Sequence, residues 1–63
     1  MDELQIIGDF NLYDRVRIKN TNITGNIVLI YDNKVCEIEY DAQFRKNDDE
    51  VIYMHNVNEL EHE

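Results

Sequence analysis

The chain has 63 residues, and a chain of this length buries only about 60% of the surface that its unfolded form exposes. We therefore expect one domain at most, residues 1–63, with a core too small for a deep enzyme cleft. The formal net charge of -8 disfavours nonspecific binding to nucleic acid or to an anionic membrane, because both depend on Lys and Arg.

Composition also bears on cofactors, location and origin. The chain has one cysteine, Cys36, and its histidines, His55 and His62, are far from it in sequence, so we predict neither a disulfide nor a metal or other cofactor. The first residues are acidic, unlike a signal peptide, and no apolar run approaches the roughly 20 residues that span a bilayer. We expect a cytoplasmic protein. The absence of proline and the abundance of Asn, Ile, Asp and Tyr resemble proteins of AT-rich bacterial genomes or their phages.

Residues 1–12 have the least regular pattern. The stretch LQIIGDF within them is compatible with a strand that covers a sheet edge, a helical turn or a flexible arm, and we favour the strand. Residues 13–19, YDRVRIK, alternate strictly, with Val16 and Ile18 on one side and cations on the other. This period of two predicts a strand with one buried face. The following NTNITG predicts a loop in which Gly25 allows a backbone angle or a close approach that other residues resist.

The middle of the chain predicts a hairpin. Residues 27–31 are apolar at every position, which favours a sharply bent strand, because a chain this small cannot cover a flat sheet on both faces. Asp32 and Asn33 supply a tight turn. The stretch VCEIEYD then alternates, with an inward face of Cys36, Ile38 and Tyr40 and an outward face of Glu37, Glu39 and Asp41.

The last third of the chain predicts a loop, a strand and a helical turn. Residues 42–50 form a charged loop that Phe44 anchors, and VIYMH after them has the β propensity of a fourth strand. The tail predicts a helical turn around residues 56–59, with Val57 and Leu60 on the core and only the end beyond Leu60 loose. The predicted fold is all-β: a small barrel of four to five antiparallel strands with a short C-terminal helical turn, since open edges favour aggregation.

Four short motifs follow one another along the chain in an order that also occurs in a known class of small barrels. They are D-x-V-x-I from Asp14 to Ile18, Gly25 before the bent strand, IEYD after the tight turn, and the closing EVIYMHNVNELE. In this order they resemble an SH3-like small β-barrel of the bacterial KOW or Tudor type, and similar bacterial small-barrel domains. The likeness covers roughly residues 13–61 and implies a barrel. It implies little about function, because such barrels bind RNA, proteins or methylated side chains.

The resemblance implies two candidate sites. The positions that match a Tudor aromatic cage, which holds a cation between rings, are Tyr31, Tyr40 and Phe44. The positions that match the nucleic-acid contacts of KOW domains are Arg15, Arg17 and Lys19. From the residues alone, the rings also fit ordinary use in the core, and the three cations also fit a solvated strand face.

The acidic face is a third candidate site. Glu37, Glu39 and Asp41 stand about 6.6 Å apart along the predicted strand, a separation comparable to that of glycosidase carboxylates. That chemistry needs a cleft and unlike environments for the two acids, so we interpret these residues as an outward face that could meet a basic partner. A further acidic run consists of Asp48, Asp49 and Glu50. It lacks the ligand spacing and turn glycine of a calcium loop.

Cysteine chemistry is the remaining candidate for an enzyme. Cys36 and His55 could meet across strands as nucleophile and base, but Cys36 is predicted inward and no orienting group or oxyanion site is recognisable. We predict that the protein is not an enzyme.

These features lead to three hypotheses of function. The first is a small non-enzymatic protein-interaction module of bacterial or phage origin that binds a protein partner or a second copy by strand addition, since a barrel alone is not expected to bury Ile6, Ile7 and Val35. The alternative is an acidic nucleic-acid mimic or inhibitor of a DNA-handling enzyme, based on the charge of -8. The second alternative is an RNA-binding barrel that uses the three cations of residues 13–19.

Overall fold

The fold consists of short strands and two 3-10 turns. A computed structural model describes residues 4–63, so residues 1–3 of the predicted N-terminal strand or arm lie outside the described residues. The strands are β1 (Ile6–Ile7), β2 (Phe10–Asn11), β3 (Arg15–Ile18), β4 (Thr24–Ile30), β5 (Val35–Tyr40), β6 (Ile52–Asn56) and β7 (Leu60–His62). The 3-10 turns are Ala42–Phe44 and Val57–Glu59.

The main sheet has five antiparallel strands in the order β6-β5-β4-β3-β7. Strand β3 pairs with β4, β4 with β5 and β5 with β6, and β7 crosses back to pair with β3. The predicted all-β fold, with antiparallel strands and a C-terminal helical turn, is confirmed, and the sheet is barrel-like. Within residues 4–63 the barrel is not closed by hydrogen bonds, because β6 and β7 remain the two edges of the sheet.

A short connection joins these two edges. Strand β6 ends at Asn56, the 3-10 turn Val57–Glu59 follows, and β7 begins at Leu60. Three residues of 3-10 helix rise only about 6 Å, so the sheet must roll until its two edges approach each other at this corner. The side chain of Asn56 accepts a hydrogen bond from the N–H of Asn58 and caps the turn.

Among the described residues, no helical segment is long and apolar enough to cross a membrane.

Strand β4 is irregular in the region where a bend is predicted. Its register with β5 shifts between Ile27 and Leu29, which leaves Val28 as an extra residue, and such bulges bend a strand. Gly25 provides the predicted close approach: a Cβ at this position would collide with the carbonyl oxygen of Glu39 on β5. The two strands therefore lie closer together here than any other residue would allow.

The core lies inside the rolled sheet. Its buried residues are Ile7, Phe10, Val16, Ile27, Ile30, Cys36, Ile38, Tyr40 and Leu60. The predicted inward face of β5 is thus confirmed, as are the core positions of Val57, partly buried, and of Leu60, fully buried. Phe44 packs against this core from the first 3-10 turn, which confirms its predicted role as an anchor of the loop.

The N-terminal segment is a separate hairpin. Strands β1 and β2 pair only with each other in the described part of the chain, and Ile7 lies opposite Phe10. Ile7 is 1% exposed, so the expectation that a barrel alone would not bury it is wrong. The hairpin turns Ile7 and Phe10 to one face, which joins the core, while Ile6 on the other face is 63% exposed. Val35 is half-buried.

The C-terminal end is ordered. The prediction of a loose end beyond Leu60 is wrong, because Leu60–His62 forms strand β7 on the free side of β3. Strand β3 would otherwise be an edge. Ion pairs from Arg17 to Glu61 and from Arg15 to Glu63 hold the new strand in place.

Candidate interaction site

The acidic side chains on and after β5 each contact a neighbour. Glu37 accepts a hydrogen bond from the hydroxyl of Tyr31, which raises the pKa of that phenol. Glu39 lies 3.7 Å from a guanidinium nitrogen of Arg45. Asp41 follows the strand and binds Arg15 through both carboxylate oxygens at 2.7 Å. Glu37 and Glu39 remain on the outer face of the sheet beside strand β6, whereas Asp41 belongs to a different cluster.

The cluster around Asp41 contains ion pairs of both arginines of β3. Arg15 also bonds Glu63 at 2.8 Å, and Arg17 pairs with Glu61. The Arg15 guanidinium, with the Thr24 hydroxyl, holds the pKa of Asp41 well below its usual range. Lys19 is exposed at the end of the row. Two of the three cations that matched nucleic-acid contacts are therefore already neutralised by carboxylates of the same sheet.

The three rings that matched an aromatic cage do not share one site. The N–H of Tyr31 bonds the carbonyl of Val35, at the start of β5, whereas Tyr40 is the last residue of that strand. Five residues of strand separate two such points by about 17 Å. Tyr40 is buried and instead stacks on Tyr53 of β6, with ring centroids 4.1 Å apart. Phe44 packs on the core.

A chain of hydrogen-bonded polar side chains links β5, β6 and the second 3-10 turn, and no pattern in the sequence predicts it. His55 lies between Tyr40 and Glu59: its Nε2 is 2.6 Å from the Tyr40 hydroxyl, and its Nδ1 is 2.6 Å from the Glu59 carboxylate. Burial raises the pKa of Tyr40. These hydrogen bonds satisfy half-buried polar groups where the sheet rolls, so we interpret the chain as structural.

Cys36 lies opposite His55 in the pairing of β5 with β6, as the nucleophile hypothesis requires. The thiol is fully buried, however, and burial raises its pKa to about 11. At neutral pH it is protonated, and the thiolate is the nucleophilic form. The pair therefore lacks an activated nucleophile.

Strand β6 is an edge strand whose free hydrogen-bonding groups can be located. The N–H of Tyr40 bonds the carbonyl of Val51, and the N–H of Val57 bonds the carbonyl of Lys34. In an antiparallel pair, residues alternate between bonding the partner and facing away from it. The N–H and C=O groups of Ile52, Met54 and Asn56 therefore point away from β5, toward the open edge.

The side chains of the same edge are apolar and exposed. Ile52 is 48% exposed and Met54 is 63% exposed, and both lie on the outer face of the sheet. Ile52 is paired with Glu39, and Met54 with Glu37. The result is a strip of two strands in which an apolar row at the edge is backed by an acidic row.

The loop before β6 adds further negative charge. Asp48, Asp49 and Glu50 are exposed. The side chain of Asn47 accepts hydrogen bonds from the N–H groups of Asp49 and Glu50, each at 2.9 Å, and gives this loop a defined turn. We use the name acidic edge for β6 with its flanking acids, Glu37, Glu39, Asp48, Asp49 and Glu50.

Two other kinds of binding site give weaker candidates: a surface depression and a metal site. An open polar depression is lined by Arg17, Asn20, Thr21, Asn22 and Glu61, and the ion pair of Arg17 with Glu61 lies along it. Among the described residues, no group of three or more His, Cys, Asp or Glu side chains is placed to hold a metal ion.

Within residues 4–63, the fold and the acidic edge together define a class: an all-β domain with a rolled five-stranded sheet whose edge strand β6 exposes apolar side chains. Comparisons with protein-family models, with curated proteins and with solved structures found no match to this chain. The likeness to KOW and Tudor barrels therefore stays a prediction based on sequence motifs.

Proposed function

We propose that the protein is a non-enzymatic interaction module that binds another protein through its edge strand β6. The observation that carries this proposal is the coincidence, on one strand, of outward-facing backbone groups with exposed Ile52 and Met54. Strand addition uses both features: the backbone supplies hydrogen bonds and alternate side chains supply selectivity.

The alternative uses of the surface have less support. The cations of β3 are largely occupied by Asp41, Glu61 and Glu63, which weakens the case for RNA binding.

Edge strands of soluble proteins are commonly protected by charge, proline or a bulge. Strand β6 contains no Asp, Glu, Lys, Arg or Pro, and the outer side chains of Ile52 and Met54 are apolar.

The test compares variants of β6 as bait in affinity purification from the source organism, with mass spectrometry of the bound proteins. Met54→Pro removes an N–H that faces the open edge, so it does not remove a hydrogen bond to β5, and proline is tolerated at such positions. Met54→Gln removes the apolar side chain without changing the charge. We expect the amount of partner protein recovered with each variant to be at least ten-fold lower than the amount recovered with the wild type.

Ile6→Gln is the matched control, because Ile6 is exposed to the same 63% as Met54 but lies on the N-terminal hairpin. It should retain the partner. Thermal unfolding of each variant checks that the fold persists. Retention of the same partners by both Met54 variants, or the absence of any specifically retained protein, would contradict the proposal.

A second candidate function, an acidic mimic of nucleic acid, is favoured by the charge distribution. The three arginines all pair with carboxylates, so the exposed charge of the domain is dominated by acids. A mimic would bind the basic groove of a DNA-handling enzyme, and its affinity would fall steeply with salt. Binding to such an enzyme that survives charge reversal at Glu37 and Glu39 would exclude this function.

A further inference from the structure

We propose that the occupant of the acidic edge is an extended basic segment of a partner protein, in which Lys or Arg alternates with apolar residues. This inference rests on the proposed function and specifies the chemistry of the partner. It follows from the side chains that an added strand would meet on each face of the sheet.

On the outer face, an added strand would lie beside Ile52 and Met54 and two strand spacings, about 9.6 Å, from β5. The long aliphatic stems of Lys and Arg can cover apolar side chains while their charged ends extend further. Here the ends would reach toward Glu37, directly behind Met54, and toward Glu39, directly behind Ile52. Among the described residues, Arg45 is the one cation already near Glu39, at 3.7 Å. Alternate positions of the partner therefore favour Lys or Arg.

On the inner face, the neighbours are aromatic. Tyr53 and His55 alternate with the outer residues, and both are half-buried at the rim of the core. An apolar side chain of the added strand would cover these rings. The intervening positions of the partner therefore favour residues such as Val or Ile.

Charge argues against a second copy of the chain as the occupant. Each copy carries a net charge of -8. Two copies joined along β6 would also place two acidic surfaces on one continuous sheet, each with Glu37 and Glu39 behind its edge strand. Like charges placed together in an interface oppose association, whereas a basic segment is attracted.

The test is a titration of the isotope-labelled protein, followed by NMR, with two nine-residue peptides. One alternates Lys with Val, and its counterpart replaces every Lys with Glu. We expect the Lys peptide to shift the amide signals of Ile52, Met54 and Asn56, to bind at least ten-fold more tightly than the Glu peptide, and to lose affinity as salt is raised. Met54→Pro should abolish these shifts.

Two double variants separate recognition by the acidic edge from a general effect of charge. Glu37→Gln with Glu39→Gln should weaken the Lys peptide about five-fold, the effect of two surface ion pairs. Asp9→Asn with Glu63→Gln makes the same change in net charge away from β6 and should leave the affinity within two-fold. An equal effect of both double variants would overturn the proposal.

The outcomes also separate this inference from the proposed function. If neither peptide binds, or both bind equally, while Met54→Pro still loses a partner in the affinity purification, the basic occupant is wrong and the edge function stands. If Met54→Pro changes neither measurement, both fail. A wild-type dimer in sedimentation that Met54→Pro dissociates would show that a second copy occupies β6 and would overturn the basic segment.

Discussion

Arg15 of β3 and Asp41, the residue after β5, form a two-pronged ion pair across the sheet, with both N–O distances at 2.7 Å. Strand β4 lies between the two residues in the strand order. Asp41 also accepts a hydrogen bond from the Thr24 hydroxyl of β4 at 2.6 Å, so the three strands are joined by side chains as well as by their backbones.

Loss of this pair should destabilise the domain. Asp41→Asn removes the charge and one arm of the fork, and we expect the free energy of unfolding to fall by about 1 kcal/mol, because the pair is partly exposed. Urea denaturation followed by circular dichroism measures the change. Arg17→Gln breaks a pair with one carboxylate and is the control with a smaller expected loss. Equal losses would contradict the special role of Asp41.

Stability should fall on acidification. The pKa of Asp41 lies below its usual value because Arg15 binds the carboxylate. Between that lowered pKa and the usual aspartate value near 4, the unfolded chain binds more protons than the folded one, so acid favours unfolding. The contribution of Asp41 is complete above about pH 4 to 5 and is lost as the pH falls through its folded pKa.

Urea denaturation at a series of pH values from about 6 down to about 2.5 checks this expectation against the usual aspartate pKa. Asp41→Asn should flatten part of the slope. Part should remain, since the N–H groups of Lys34 and Val35 also lower the pKa of Asp32. A variant with the same slope as the wild type would show that Asp41 does not contribute.

The close approach of β4 to β5 makes Gly25 sensitive to substitution. In Gly25→Ala the new Cβ would collide with the backbone of Glu39, and the strands would have to separate. We expect a loss of about 3 kcal/mol, the upper part of the range for overpacking. Gly8→Ala is the comparison: its φ of 58 also disfavours alanine, but the nearest atom is a side-chain methyl of Val57 at 3.3 Å. A smaller loss for Gly25→Ala than for Gly8→Ala would contradict the geometry.

Cys36 should be unreactive in the native protein. The thiol is fully buried and its pKa is raised to about 11, so neither access nor ionisation favours alkylation at neutral pH. Labelling with iodoacetamide followed by mass spectrometry should show modification in urea and almost none under native conditions. Rapid native labelling would mean that β5 and β6 open readily.

Hydrogen exchange tests the register of β6. The N–H groups of Tyr53 and His55 face β5, whereas those of Ile52 and Met54 face the open edge. NMR should therefore show fast exchange at Ile52 and Met54 and slow exchange at Tyr53 and His55. The opposite pattern would mean a register shifted by one residue and would remove the basis of the acidic edge.

Much of the fold could be read from local pattern. The alternation in VCEIEYD placed Cys36, Ile38 and Tyr40 inward, and the structure buries all three. Period-two alternation is reliable in such a strand because a shift of one residue would expose its entire apolar face. The helical turn around residues 56–59 was also predicted, and it lies at Val57–Glu59.

The candidate site was harder to predict. VIYMH is apolar or aromatic on both faces, which could have indicated an uncovered face on so small a protein, but sequence does not reveal which strand lies at the edge. The end after Leu60 was misjudged for a related reason: β7 forms only because the rolled sheet brings residues 60–62 beside β3.

The sequence by itself determined the all-β fold class, the inward and outward faces of β3 and β5, and the negative net charge. All three depend on residue type and on spacing along the chain. Only the tertiary structure decided which strands are edges, which cations are neutralised, and that the exposed backbone of β6 coincides with Ile52 and Met54. These properties arise from contacts between residues that are distant in sequence, and local periodicity carries no information about such contacts.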